Sequence, residues 1–330
     1  MNKKMVSCLG CLLFFASLCN GMPGARVVER NGYPGCVELF NDKMRVVLEP
    51  NWGGRVLAYS LNGVNALYVD PNQNGHTLST GKRLNPCGGR FDIGPEKITP
   101  QRDILWQGKW TAEITGSRSA RMVSQVCPNT GVQLIRVFEL SPKSSHLKCT
   151  QIIKNRMSTP QRYCHWSRTF AVGGGICLVP LSKKSRYPLG YLLYGPGEVL
   201  DFQPASEPNI RVRDRILEIL GLPSRPKFAI DCDQGWIAYV IRTNHLFIKT
   251  FEVDPERSYG EMAANNVSIW YNDNRRCEIE PIGPWSVIDP DRSISYTEHW
   301  WLFDFPYPDD KTVDLNALKR MVNSVKRLSD

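Results

Sequence analysis

The sequence predicts an all-β protein: one large antiparallel β-sandwich with an amphipathic helix at its C-terminus. Three observations predict it. From residue 36 onward, short segments rich in β-branched and aromatic residues alternate apolar and polar side chains and stop at Gly, Asn, Asp or Pro. These segments outnumber the roughly seven strands of an immunoglobulin-sized sandwich. No linker, internal repeat or low-complexity tract divides them, so a single oversized sandwich is expected rather than two domains.

Residues 1–21 read as a signal peptide. Lys3 and Lys4 form its basic end, Met5 to Leu18 its apolar core, and Cys19-Asn20-Gly21 offers small residues for cleavage. The apolar run is shorter than the roughly 20 residues of a transmembrane helix, and no later segment is long enough to span. A secreted or periplasmic protein is expected. A lipid anchor at Cys19 is the alternative, disfavoured by the bulk of Leu18. Residues 22–35 form an N-terminal segment, 36–310 the sandwich and 311–330 the helix.

Within the sandwich, Cys36–Phe40, Met44–Glu49, Arg55–Leu61, Ile104–Ile114, Met122–Cys127, Val132–Leu140 and Leu147–Lys154 read as strands. So do Trp236–Ile241, Leu246–Phe251, Val267–Tyr271, Cys277–Pro281 and Ser293–Leu302. Val212–Leu220 reads as a short amphipathic helix stopped by Gly221 and Pro223. Val313, Leu315, Leu318, Met321, Val322, Val325 and Leu328 recur at near-helical spacing. Lys326 and Arg327 suit the C-terminal end of that helix, which is expected to pack on the outside of the sandwich.

The chain has 330 residues and a formal charge of +9, which falls to +7 once Lys3 and Lys4 leave with the leader. Its basic residues are scattered, with Lys183-Lys184 and Arg275-Arg276 the main doublets. That argues against nucleic acid, which needs a basic stripe, and leaves room for an acidic sugar. Of eleven Cys, three lie in the leader (Cys8, Cys11, Cys19). The other eight are Cys36, Cys87, Cys127, Cys149, Cys164, Cys177, Cys232 and Cys277. An export route permits disulfides, but buried small hydrophobes are the equal alternative. No spaced His or Cys cluster suggests a metal, and no cofactor is expected.

Three groups of residues carry chemistry. Arg90, Asp92 and Glu96 lie in Gly88–Glu96, where Gly88 and Gly89 permit unusual backbone angles and close ligand approach. An Arg can fork two hydroxyls or a carboxylate; the plainer role is to tie down a turn. His165 sits in Tyr163-Cys164-His165-Trp166, with Arg168 close behind. Its imidazole titrates near neutral pH and suits acid–base work, although a buried structural His is the plainer alternative. Glu278 and Glu280 lie two apart on one strand and share a face. Carboxylates that close repel, so one holds its proton more tightly; a solvated face balanced by Arg275 and Arg276 is the alternative. Trp106, Trp110, Trp270 and Trp285 are candidates for stacking on sugar or for the core. Gly173-Gly174-Gly175 reads as a bulge or tight turn, and Asn266-Val267-Ser268 fits a glycosylation triplet.

Several segments resemble galactose mutarotase-like (aldose 1-epimerase-like) proteins. Val37–Glu49 followed by Asn51-Trp52-Gly53-Gly54-Arg55-Val56 resembles their opening strands. Lys154-Asn155-Arg156-Met157-Ser158-Thr159-Pro160 through His165 resembles the segment that delivers their catalytic His. Cys277–Pro281, Asp289-Pro290-Asp291-Arg292-Ser293 and Glu298-His299-Trp300 resemble their late acidic and final strands. The resemblance covers roughly residues 36–305 and is closest to a secreted branch carrying Gly88–Glu96. It implies a supersandwich that binds sugar in a concave face. It further implies His165 as acid and Glu280 as base, with Glu278 as substitute and Arg90 as the clamp on sugar hydroxyls. Asp92, Glu96, Glu278 and Arg168 join Arg90 as the expected binding residues. The function expected is carbohydrate binding, of a sugar or uronic acid, extending to aldose epimerisation. A non-catalytic binding protein and a polysaccharide lyase or hydrolase relative, pairing Asp92 or Glu96 with Glu280, stand as alternatives.

Overall fold

The computed structural model describes residues 24–81 and 84–329. The leader and its Cys19 alternative lie outside the described residues. Two antiparallel sheets, of thirteen and ten strands, stack face to face. In the larger sheet the central strands run Arg55–Leu61, Gly89–Gly94, Gln161–Val172, Arg276–Pro281, Val267–Asp273 and Lys227–Ile230. The smaller sheet centres on Trp236–Ile241, His245–Phe251, Ser293–Asp304 and Leu147–Asn155.

Alternation places the core. Phe91, Ile93, Ile269 and Ile279 point inward from the larger sheet and meet Leu134, Phe138, Phe247 and Trp300 from the smaller one. The outer face of the smaller sheet carries a second apolar set, including Leu178, Ala238, Ile248 and Trp301, covered by Leu318, Val322 and Val325 of the C-terminal helix. That helix runs Leu315–Ser329, starting two residues after Val313. Asp314 caps it, its Oδ1 accepting from the N–H groups of Asn316 and Ala317 at 2.9 and 3.0 Å. Each fully buried Leu or Val contributes roughly 1.5–3 kcal/mol.

Several expectations need correction. Val212–Leu220 is not a helix but a hairpin of Ile210–Arg213 and Ile216–Ile219. Ile210 and Val212 stand opposite Ile219 and Leu217 on one face, and Arg211 and Arg213 opposite Glu218 and Ile216 on the other, an alternation of period two. The two-residue turn puts Asp214 and Arg215 at φ of 48° and 60°, the geometry of a type I′ hairpin turn. The strand read over Ile104–Ile114 splits into a helical turn, Asp103–Trp106, and a strand, Thr111–Gly116. The turn is fixed by Gly108, whose N–H reaches the Ile104 carbonyl at 3.1 Å and where a Cβ would lie 2.2 Å from that oxygen. The Met122–Cys127 strand is displaced to Ser119–Val123. The larger sheet also starts before Cys36, since Ala25–Arg30 pairs with Tyr33–Phe40.

Gly89–Gly94 is a central strand, with only Gly88 in the left-handed region at φ 72°. Gly173-Gly174-Gly175 is the tight turn that passes the chain from one sheet to the other, as Gln161–Val172 and Ile176–Pro180 belong to different sheets. The eight cysteines among the described residues, Cys36 to Cys277, are buried free thiols. Asn266 is 2% exposed and bonds the backbone of Cys232 through both ends of its amide, so it cannot accept a glycan in the folded protein. Among the described residues no helix is long and apolar enough to cross a membrane.

Candidate functional site

The outward face of the larger sheet gathers charge where Gly89–Gly94, Gln161–Val172 and Arg276–Pro281 run side by side. Register fixes who meets whom. Trp166 stands opposite Asp92 and Arg168 opposite Arg90; Phe170 stands opposite Glu278. The period of two then puts Glu280 beside Arg168.

Arg168 is the hub. Its Nε donates to Glu278 Oε1 at 2.8 Å and to Glu280 Oε1 at 3.1 Å. Its Nη1 lies 3.9 Å from Asp92 and 3.8 Å from Glu96. The rings of Trp106 and Trp166 lie 5.0 and 5.1 Å from its guanidinium carbon, and Trp166 Nε1 donates to Glu280 Oε1 at 2.9 Å. Burial penalises the Arg168 charge, but Glu278 and Glu280 outweigh that penalty and hold its pKa well above the usual value. Burial, and then the neighbouring Glu278, push Glu280 well above the ordinary carboxylate range, with Arg168 opposing.

The floor of the cluster is closed: Glu278 and Glu280 are 0% and 1% exposed. Its open rim is formed by Glu96 and Lys227, 3.6 Å apart. The Lys227 ammonium also lies over Tyr194 and Trp270. Asp92 is gripped by Arg102 through two hydrogen bonds of 2.6 and 2.8 Å, which commits it to that pair rather than to work across from Glu280. The cations Arg102, Arg168 and Lys227 face the carboxyls of Asp92, Glu96, Glu278 and Glu280, the last with its pKa raised. Five expected site residues thus come together: Asp92, Glu96, Arg168, Glu278 and Glu280.

Two do not join them. Arg90 shares the face but is fully buried. Its Nη1 donates to the Trp106 carbonyl at 2.7 Å and its Nε to the Cys87 carbonyl at 3.2 Å. Burial, aided by Arg55, pulls its pKa down to about 9. Arg90 therefore braces the turn that presents Trp106 and has no access to a sugar.

His165 faces the other way, between the sheets. Its ring stacks on Phe91 and Tyr296, both with centroids 5.7 Å away, and burial lowers its pKa to about 4. An odd offset on a strand reverses the side chain, so His165 cannot share a pocket with Arg168 or Glu280.

Sequence reasoning missed Arg102 and Lys227. Their roles depend on long-range register, and no local signal marks them. Of the tryptophans, Trp106 and Trp270 line the cluster. Trp110 is buried against Gly54, and Trp285 stacks under Arg162 at 4.3 Å.

The interior holds a second polar group. Lys249 Nζ lies 2.7 Å from Glu298 Oε2 and donates to Ser167 and Thr169 at 3.0 and 3.1 Å. Glu298 also accepts from Gln151 and Trp300. Lys249 and Glu298 are 0% exposed, so this network ties the sheets together and has no route to a substrate. Among the described residues no group of three or more His, Cys, Asp or Glu could hold a metal ion.

No protein-family model matches the sequence, and no curated protein matches it. Solved structures do. A galactose mutarotase-like protein from Clostridium acetobutylicum is 12% identical with a TM-score of 0.60, over 85% of this chain and 98% of that one. The Slr1438 protein from Synechocystis sp. PCC 6803 is 13% identical with a TM-score of 0.59, over 84% and 99%. A candidate aldose 1-epimerase from Escherichia coli K12 is 9% identical with a TM-score of 0.57, over 81% and 98%. At such identities the likeness speaks for architecture: this chain has the galactose mutarotase-like β-sandwich fold.

Proposed function

We propose that this is an exported carbohydrate-binding protein that takes a neutral sugar on the outward face of its larger sheet, at the Arg168 cluster. The observation that carries the reading is Arg168 held among Glu278, Glu280, Asp92 and Glu96 and walled by Trp106 and Trp166. Glu96 and Lys227 at the open rim bond sugar hydroxyls and the half-buried Trp106 and Trp270 rings take the apolar sugar face, over the buried floor of Arg168, Glu278 and Glu280. The near balance of charge favours a neutral ring over a uronate. The leader at residues 1–21 supports export. The fold's relatives include a galactose mutarotase-like protein and a candidate aldose 1-epimerase, which adds sugar chemistry to the prior.

A second reading is catalysis on the same face. The raised pKa of Glu280 beside Glu278 suits an acid next to a second carboxyl, without any histidine. Aldose epimerisation on this site would use Glu280 as the acid. His165, on the opposite face, takes no part.

Calorimetric titration with a panel of neutral aldoses tests the binding reading, with tryptophan fluorescence as a second reporter. Saturable binding that Arg168→Gln weakens at least tenfold is expected; absence of binding to every sugar, or equal binding by the variant, overturns it. Anomer exchange measured by NMR tests catalysis. Acceleration lost in Glu280→Gln and kept in His165→Gln supports it, whereas no acceleration in the wild type leaves binding alone.

A further inference from the structure

We propose that the cavity beside His165 is a second, separate ligand site, one that takes a small hydroxylated ammonium compound such as a free amino sugar. It lies on the opposite side of the Gln161–Val172 strand from the Arg168 cluster and does not depend on that cluster's function.

Two independent observations carry it. The first is an unsatisfied buried group: His165 is 2% exposed, its Nε2 has no hydrogen-bond partner, and its ring lines a cavity of about 340 Å³. A buried polar atom without a partner is a standing penalty, which a ligand hydroxyl there would remove. The second is the charge of the walls. Glu252 and Asp254 line the same cavity and form no ion pair among the described residues. One cation, Arg257, accompanies them, and its Nη2 is engaged by the Trp285 carbonyl and Ser286 Oγ.

Burial holds the His165 imidazole near pKa 4, so it adds no positive charge at neutral pH. The lining is therefore net acidic and repels carboxylates and phosphates. It attracts an ammonium group and leaves the imidazole to meet a hydroxyl, Ser286 being engaged by Arg257 and the Pro284 carbonyl. The volume falls at the small end of the roughly 300–1,000 Å³ range of small-molecule pockets. A neighbouring cavity of about 580 Å³ shares Glu252 and Tyr296 and adds Asp233 and Lys326, whose charges offset each other. Among the described residues no three-ligand metal group exists, so the carboxylates do not form a cation cage of that kind.

The test is titration of the full chain with D-glucosamine, D-glucose and D-glucuronate. The His165 ring signals, assigned with His165→Gln, are followed by ¹H–¹⁵N NMR. Saturable shifts with glucosamine at least tenfold tighter than with glucose, and none with glucuronate, are expected. Glu252→Gln/Asp254→Asn, two side chains at the rim of the cavity, should weaken glucosamine at least tenfold. Equal binding of glucose and glucosamine, binding of glucuronate, or an unchanged glucosamine response in the double variant overturns the proposal. Failure of the outer-face site registers separately, as loss of the tryptophan response to neutral sugars while the His165 response persists.

Discussion

His165 and Arg168 stand three residues apart on one strand and face opposite sides of the sheet. Arg168 bonds Glu278 at 2.8 Å outside, while His165 stacks on Tyr296 within the sandwich. One strand thereby serves two environments.

Glu280→Gln should stabilise the protein at neutral pH. The folded state raises the Glu280 pKa, so its contribution is complete below about pH 4.5 and declines as pH rises toward the raised value. Glutamine copies the protonated form and keeps an oxygen for Trp166. Urea unfolding should show a gain in stability at pH 7 that is absent at pH 4.

His165 should make the protein acid-sensitive. Its folded pKa of about 4 lies below the ordinary 6.5, so stability is complete above pH 6.5 and lost as pH falls through 4. The loss should approach ~3 kcal/mol. His146, also held at about 4 by burial, His299 and Lys148, adds a similar slope. His165→Gln should therefore reduce, but not abolish, the pH dependence between 6.5 and 4 in chemical unfolding.

Lys249→Met should cost about 3–5 kcal/mol, because it leaves Glu298 charged and unpaired in the core. Lys249→Met/Glu298→Gln should recover a substantial part of that loss. Denaturation midpoints of the two variants decide it: equal midpoints would mean the pair has no mutual dependence.

Leu318→Ala should cost about 2–5 kcal/mol. Leu318 is fully buried between the C-terminal helix and the outer face of the smaller sheet. A change within experimental error would mean that the helix contributes nothing to the stability of the sandwich.

The sequence by itself determined the class of fold, most strand positions and the covering helix. Those follow from periods of two and near 3.6 along contiguous residues, and burial enforces them locally. It also determined that Glu278 and Glu280 share a face, since two residues apart on a strand is a local fact. The hairpin at 210–219 was legible in the same way, yet its apolar spacing suited a short helix as well, and only the positive φ of Asp214 and Arg215 resolved it.

Tertiary structure alone decided the site. Whether Arg168, Asp92 and Glu280 meet depends on which strands become neighbours and in which register, and a shift of one residue would turn every side chain over. Arg90 shows the same limit: its face was predictable, but its burial under Trp106 was not, because the segment that covers it read as a strand and folds instead into a helical turn. Local pattern chooses an element and its faces, whereas pairing over a hundred residues of intervening chain chooses what those faces touch.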